Sequence, residues 1–137
     1  MAFRYSTRVR FHDADPAGIA FFARLFTWCH DAYEELMREG GVPLEQLVAG
    51  DVGLPLAHAS ADFVRPLPLG AALTVEIQLG ELKEKGFTLA HRLLAADGQE
   101  CARVKTVHVA FSRQAKRPVP LPERVVALLQ RLSPEAT

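Results

Sequence analysis

Cysteine is scarce in this chain. Two are present in 137 residues, Cys29 and Cys101, far apart in sequence. That is too few for a disulfide framework, and both read as reduced thiols of a cytoplasmic protein. The opening MAFRYSTRVRF has no apolar h-region and no small-residue cleavage site, so it does not read as a signal peptide. Excess charge is missing as well: 16 basic residues balance 16 acidic ones. Nucleic-acid and membrane-surface proteins usually carry a basic excess, so neither partner is expected. No apolar run approaches the roughly 20 residues that cross a bilayer. There is no internal repeat, no GxGxxG and no phosphate-loop sequence. Ser60 and Ser112 have no elbow-like context, so no Ser-His-Asp set is indicated.

What is present is ample apolar material, 49% of residues, in a length that fits one domain over 1–137. Phe3, Tyr5, Thr7, Val9 and Phe11 alternate with Arg4, Ser6, Arg8 and Arg10, the pattern of a half-buried strand. From Ile19 the period changes. Ile19, Phe22, Phe26, Cys29, Tyr33 and Leu36 step by three and four, which predicts an amphipathic helix ending at Gly40-Gly41 and Pro43. Residues 44–50 form a short helix or an ordered loop. Alternation then returns over 57–64, 73–79, 86–96 and 99–111, with Asp97-Gly98 as a hairpin turn. Ala57, Ala59, Ala61 and Phe63 share one strand face, leaving room for the aromatic helix to pack close. Residues 121–132 predict a C-terminal helix. One strand, a long helix and four strands with short links imply an α+β fold, one antiparallel sheet of about five strands curled around a central helix. Its free edges and uncovered face suit a homodimer, or a homotetramer built from two.

Chemistry concentrates in FHDADPAGIAFF, residues 11–22. Asp13 or Asp15 could cap the helix. His12, Asp13 and Asp15 have metal-ligand character, although His12 and Asp13 point apart on a strand. The catalytic reading joins Asp15 to a helix N-terminus, with Gly18 leaving room for a ligand. N–H groups at a helix start can stabilise an oxyanion, and a carboxylate can attack a carbonyl or activate a water. This combination suits acyl transfer.

Elsewhere the signals are weaker. His30 flanks the helix stripe and could make a polar contact in an acyl pocket. His58 lies on the strand face opposite the alanines, as a structural or pocket-lining residue. His91 and His108 fall within ordinary alternation and read as structural, and Cys29 reads as core. Lys83 and Lys85, in GELKEKGF, are either a solvated turn or phosphate contacts.

The stretch FHDADPAGIAFFARLFTWCHDAYEEL closely resembles the opening of the hotdog-fold acyl-CoA thioesterases of the 4-hydroxybenzoyl-CoA thioesterase group. Asp13, Asp15, Gly18 and Phe21-Phe22 stand at that group's motif positions. The resemblance implies a hotdog fold and a catalytic role for Asp15. It implies backbone donors within Gly18–Phe22 that polarise the thioester, and CoA phosphates on Lys83 and Lys85. Candidate substrate contacts are Gly18, Phe22, His30 and His58. WCHDAYE and LPLAHASADFVRPLPLG are similar to the 1,4-dihydroxy-2-naphthoyl-CoA thioesterases. Hydrolysis of an aromatic acyl-CoA is expected, with 4-hydroxybenzoyl-CoA or short-chain thioesters as alternatives. No metal or cofactor is implied beyond the CoA thioester itself. A non-catalytic binder of acyl thioesters or of an acyl-carrier protein is the competing class, and it has no need of a carboxylate at position 15.

Overall fold

The computed structural model describes residues 2–135. In chain order the elements are β1 (Phe3–Arg8), a 3-10 turn (Phe11–Asp13), α1 (Arg24–Glu39), α2 (Leu44–Ala49), β2 (Val52–Gly53) and β3 (Leu56–Phe63). They continue with β4 (Ala72–Leu82), β5 (Gly86–Ala95), β6 (Glu100–Val109), β7 (Phe111–Ser112), β8 (Arg117–Pro118) and α3 (Glu123–Gln130). The main sheet has the order β1-β4-β5-β6-β3 and is antiparallel throughout.

Alternation decides which face meets α1. Leu73, Val75 and Ile77 of β4 and Phe87, Leu89 and Leu93 of β5 are buried beneath the helix, as are Val104 and Thr106 of β6. The helix returns Leu25, Trp28, Cys29, Ala32, Tyr33, Leu36 and Met37, a stripe at three- and four-residue steps. Each fully buried Leu or Ile contributes about 1.5–3 kcal/mol. Gly40 ends the helix against the Leu128 side chain of α3, which a Cβ there would have to displace. Gly41 then turns the chain with a φ of +83°.

The other sheet face carries charge. Glu76 alternates with Val75 and Ile77, so it points away from α1, yet only 4% of it is exposed. Arg4 and Arg92 cover it at 2.9 and 3.3 Å, and the ladder continues through Glu100 (3.0 Å) to Arg103 (2.7 Å). This row laces β1, β4, β5 and β6 together.

Four expectations change. The first strand stops at Arg8, and Phe11 is 84% exposed on the 3-10 turn. The helix begins at Arg24, not Ile19, because Ile19 and Ala20 are held in extended bridges to Pro68 and Ala14. The alanine face of β3 receives no helix. All of β3 is exposed except half-buried Ala61, since the strand lies beyond the edge of α1. A small second sheet, β2-β7-β8, was not anticipated, because its strands are two residues each. Asp51 fastens it by accepting bonds from Ser112 Oγ (2.7 Å) and Gln114 N–H (2.8 Å).

His91 lies in the core at 2% exposure, with Nδ1–H donating to Val104 O at 3.2 Å. Burial holds its pKa down at about 4, against an ordinary 6.5. The unfolded chain therefore binds a proton that the folded chain refuses. The stabilising effect is fully present above pH 6.5 and is lost as pH falls towards 4, by about 3 kcal/mol at the limit. Urea midpoints measured from pH 7 to 4.5 should fall, and the fall should be shallower in His91→Gln.

Candidate active site

Asp13 is 3% exposed and ties three segments of the chain into one turn. Its Oδ2 accepts Arg10 N–H at 2.9 Å, and its Oδ1 lies 3.5 Å from Arg24 Nε and from His12 Nε2. Its carbonyl accepts Phe21 N–H at 2.8 Å. One residue thus fixes the strand end, the 3-10 turn and the approach to α1. It shapes the site and leaves its carboxylate no room for other work.

Asp15 opens a miniature hairpin. Its carbonyl accepts Gly18 N–H and its N–H donates to Ile19 O, both at 2.9 Å. Asp-Pro-Ala-Gly suits this turn by residue type: Asp at the first position, Pro at the second and Gly at the fourth. Gly18 takes a φ of +77°, which favours glycine, and open space surrounds its missing Cβ. Asp15 Oδ1 accepts Ala17 N–H at 2.9 Å and Ile19 N–H at 3.4 Å. Among the described residues Oδ2 takes no bond, and the residue is half-buried, so one oxygen builds the turn and the other is left for a ligand. Neither Asp caps α1, whose N-cap is Ala23 with no side-chain cap bond.

The donors narrow in the same way. Within Gly18–Phe22, Gly18 N–H is spent on Asp15 O, Ile19 N–H on Asp15 Oδ1, Ala20 N–H on Leu67 O and Phe21 N–H on Asp13 O. Among the described residues, the amides of Phe22 and Ala23 carry no partner. They lie directly ahead of α1, whose N-cap is Ala23, at its partially positive end. A carboxylate oxygen and an unspent amide therefore stand on adjoining arms of one small hairpin, held together by the Ala14–Ala20 bridge.

The remaining candidates divide. His30 is exposed on the flank of α1, where it opens a cavity of about 320 Å³ with Tyr33, His108, Leu54 and Leu56. His58 pairs with Val107 of β6, on the face away from α1, so the structure does not bring it to His30 or Asp15. A larger concavity of about 530 Å³ also lies on that outer face, between Ser60, Gln78, Ala90 and Lys105. It is remote from Asp15. Lys83 and Lys85 are exposed in the β4–β5 link, with Lys83 Nζ 3.4 Å from Glu81. Asp15 is near the start of β4, where Val9 N–H meets Ala71 O, and the lysines follow its end. Ten or eleven residues of strand separate them by roughly 30 Å. Cys29 is fully buried and burial pushes its thiol up, so it is core and not a nucleophile. Among the described residues, no three His, Cys, Asp or Glu side chains converge on a metal position. Sequence reasoning passed over Arg24, which clamps the turn by donating to His12 O at 3.2 Å.

The model of the thioesterase-like superfamily matches residues 9–129. The chain belongs to that superfamily. The five-stranded sheet on its helix is the hotdog fold expected above. A 1,4-dihydroxy-2-naphthoyl-CoA hydrolase from Synechococcus elongatus is 35% identical over 130 residues, covering 93% of this chain and 95% of that protein. The solved 1,4-dihydroxy-2-naphthoyl-CoA thioesterase from Synechocystis superposes with a TM-score of 0.90 at 30% identity, over 96% of this chain and 98% of that one. A gentisyl-coenzyme A thioesterase superposes at 0.83 with 28% identity, over 92% and 98%.

Asp13→Ala should lower stability by about 1–3 kcal/mol, because Arg10 N–H loses its acceptor and Arg24 its counter-charge. Urea denaturation measures this. Asp13→Asn, which keeps an acceptor oxygen, should lose less.

Proposed function

We propose that this thioesterase hydrolyses aromatic acyl-CoA thioesters, with 1,4-dihydroxy-2-naphthoyl-CoA preferred, to the free acid and CoA. The observation that carries the reading is that one small hairpin leaves both Asp15 Oδ2 and the Phe22 amide without a partner among the described residues. The thioester oxygen accepts Phe22 N–H, so charge that develops on it meets a donor already in place. Asp15 Oδ2 then attacks the carbonyl carbon, or takes a proton from a water that does. The C–S bond breaks and CoA leaves as a thiolate, which needs little help because thiols ionise near pH 8.5; where Asp15 itself attacked, water then hydrolyses the resulting aspartyl anhydride to the free acid and restores the carboxylate. Gly18 keeps the approach to Asp15 clear of side chains. The names and TM-scores of the relatives support the aromatic choice.

The roughly 30 Å between Asp15 and the lysines calls for a second copy. The edge of β3 offers unpaired backbone groups along eight residues, and antiparallel pairing of two such edges makes one continuous sheet. A two-fold axis there sets the Leu56 end of one copy beside the Phe63 end of the other. The Phe63 end leads through Val64–Leu69 to the Asp15 hairpin, where Leu69 N–H meets Gly18 O at 2.9 Å. The Leu56 end carries His30, Lys83 and Lys85. Each complete site is then composite: Asp15, Gly18 and Phe22 from one chain, His30 and the CoA-binding lysines from the other. His58, on the outer face, has no part in it. We place the activity in the cytoplasm, with Cys29 and Cys101 as free thiols; among the described residues no helix is long and apolar enough to cross a membrane.

Thiol release from a panel of naphthoyl, benzoyl and short aliphatic CoA thioesters tests the reading. The naphthoyl thioester should give the highest kcat/KM, and Asp15→Asn should lower kcat at least a hundredfold with KM little changed. Release from none of the panel would favour the binder. Single-turnover hydrolysis in heavy-oxygen water distinguishes attack by Asp15 from attack by water. Sedimentation should show a dimer, and Ala59→Glu on the β3 face should yield inactive monomers.

A further inference from the structure

The cavity beside His30 has a more specific chemical character than an apolar slot. Its deepest polar member is His108, 2% exposed, on the inner face of β6. The ring is clamped between Phe87 and Tyr33, each with its centroid 4.8 Å from the imidazole. Nδ1 lies 3.1 Å from Leu54 O. A carbonyl oxygen only accepts, so Nδ1 carries the proton and Nε2 presents a lone pair. Burial lowers the pKa of His108, which keeps the ring neutral at physiological pH. The result is a rigid, uncharged acceptor whose Nε2 has no partner among the described residues. The surroundings are short of partners too: among the described residues the hydroxyls of Tyr33, whose ring is tilted 30° against His108, and of Thr106, two residues away on the same strand face, are buried without a hydrogen bond. Leu44, Leu54, Pro55 and Leu56 make apolar walls, while His30 and Glu34, the latter 3.6 Å from Arg38, stand at the exposed side.

We propose that His108 is a specificity-determining residue, whose Nε2 accepts a hydrogen bond from a ring hydroxyl of the acyl group. The inference rests on the proposed thioesterase reading and goes beyond it by assigning the group that reads the acyl ring. A neutral acceptor selects a donor, so it favours a phenol over a carboxylate, an ether or a bare ring. In a 1,4-dihydroxy-2-naphthoyl thioester the 1-hydroxyl is ortho to the carbonyl and closes an internal hydrogen bond with it. The 4-hydroxyl has no such outlet and is the one offered to His108. Leaving a buried acceptor unmatched is costly, which makes discrimination by a missing hydroxyl steep.

The test compares kcat/KM for three synthetic thioesters: 1,4-dihydroxy-2-naphthoyl-CoA, 1-hydroxy-2-naphthoyl-CoA and 1-hydroxy-4-methoxy-2-naphthoyl-CoA. The wild-type chain should prefer the first by about ten- to a hundredfold over both others. The methoxy compound should fare as badly as the compound with no oxygen there, because an ether cannot donate. In His108→Phe the preference should shrink to about twofold, and His108→Asn, whose amide oxygen accepts, should regain part of it. Thermal unfolding confirms that each variant is folded. If the phenylalanine variant does not fold, the wild-type comparison with the methoxy thioester decides. Equal turnover of all three by the wild-type chain overturns the role of His108 while the thioesterase reading stands. A preference unchanged in folded His108→Phe does the same. Release of thiol from none of the three overturns both.

Discussion

The hydrogen bond from Phe21 N–H to Asp13 O is the constraint on which the site depends. It joins the turn after β1 to the chain entering α1, and it uses up the amide just before Phe22. Asp13 also anchors Arg10 and faces Arg24, so the geometry is fixed from both sides by groups that are not themselves free to react. Asp15 can then spend one oxygen on its own hairpin and keep the other. The candidate site is built by commitment of almost every nearby donor and acceptor, and the groups proposed to react are the few left over.

Behind this hairpin the sheet supplies rigidity by two different means on its two faces. Towards α1 it is apolar and closely filled by Val75, Ile77, Leu89 and Leu93, all fully buried. On the outer side, where no helix packs, the Arg4–Glu76–Arg92–Glu100–Arg103 ladder links four strands through alternating charge. A carboxylate as covered as Glu76 is tolerable only because two guanidinium groups meet it, and removal of one partner from such a pair typically costs about 3–5 kcal/mol.

Much of the fold was legible in the sequence because alternation and helical spacing are local signals. The strands β1, β4, β5 and β6, the helix ends at Gly40-Gly41 and the Asp97-Gly98 turn all follow from them. The helix start was misplaced because Ile19 and Phe22 continue the apolar stripe, while the backbone there is claimed by Ala14, Leu67 and Pro68. Those partners are distant in sequence. The alanines of β3 signalled a close neighbour, but within the chain none is present. In the site, residue types pointed to Asp15 and Gly18; the narrowing of the donors to Phe22 and Ala23 required the hydrogen-bond pattern. His108 looked structural because period-two alternation registers only a face. A polar residue recurring on a buried face, as Thr106 and His108 do, was the signal available.

The wide separation of Asp15 from Lys83 and Lys85 along β4 has a genetic consequence in the proposed dimer. A chain defective at Asp15 still furnishes His30 and both lysines to its neighbour, and a chain defective at the lysines still furnishes Asp15. A mixed pair of the two broken chains contains one site with every part intact and one that lacks both Asp15 and the lysines. With random pairing half of the dimers are mixed, so two such alleles together restore about a quarter of the sites, a complementation that a site confined to one chain could not show.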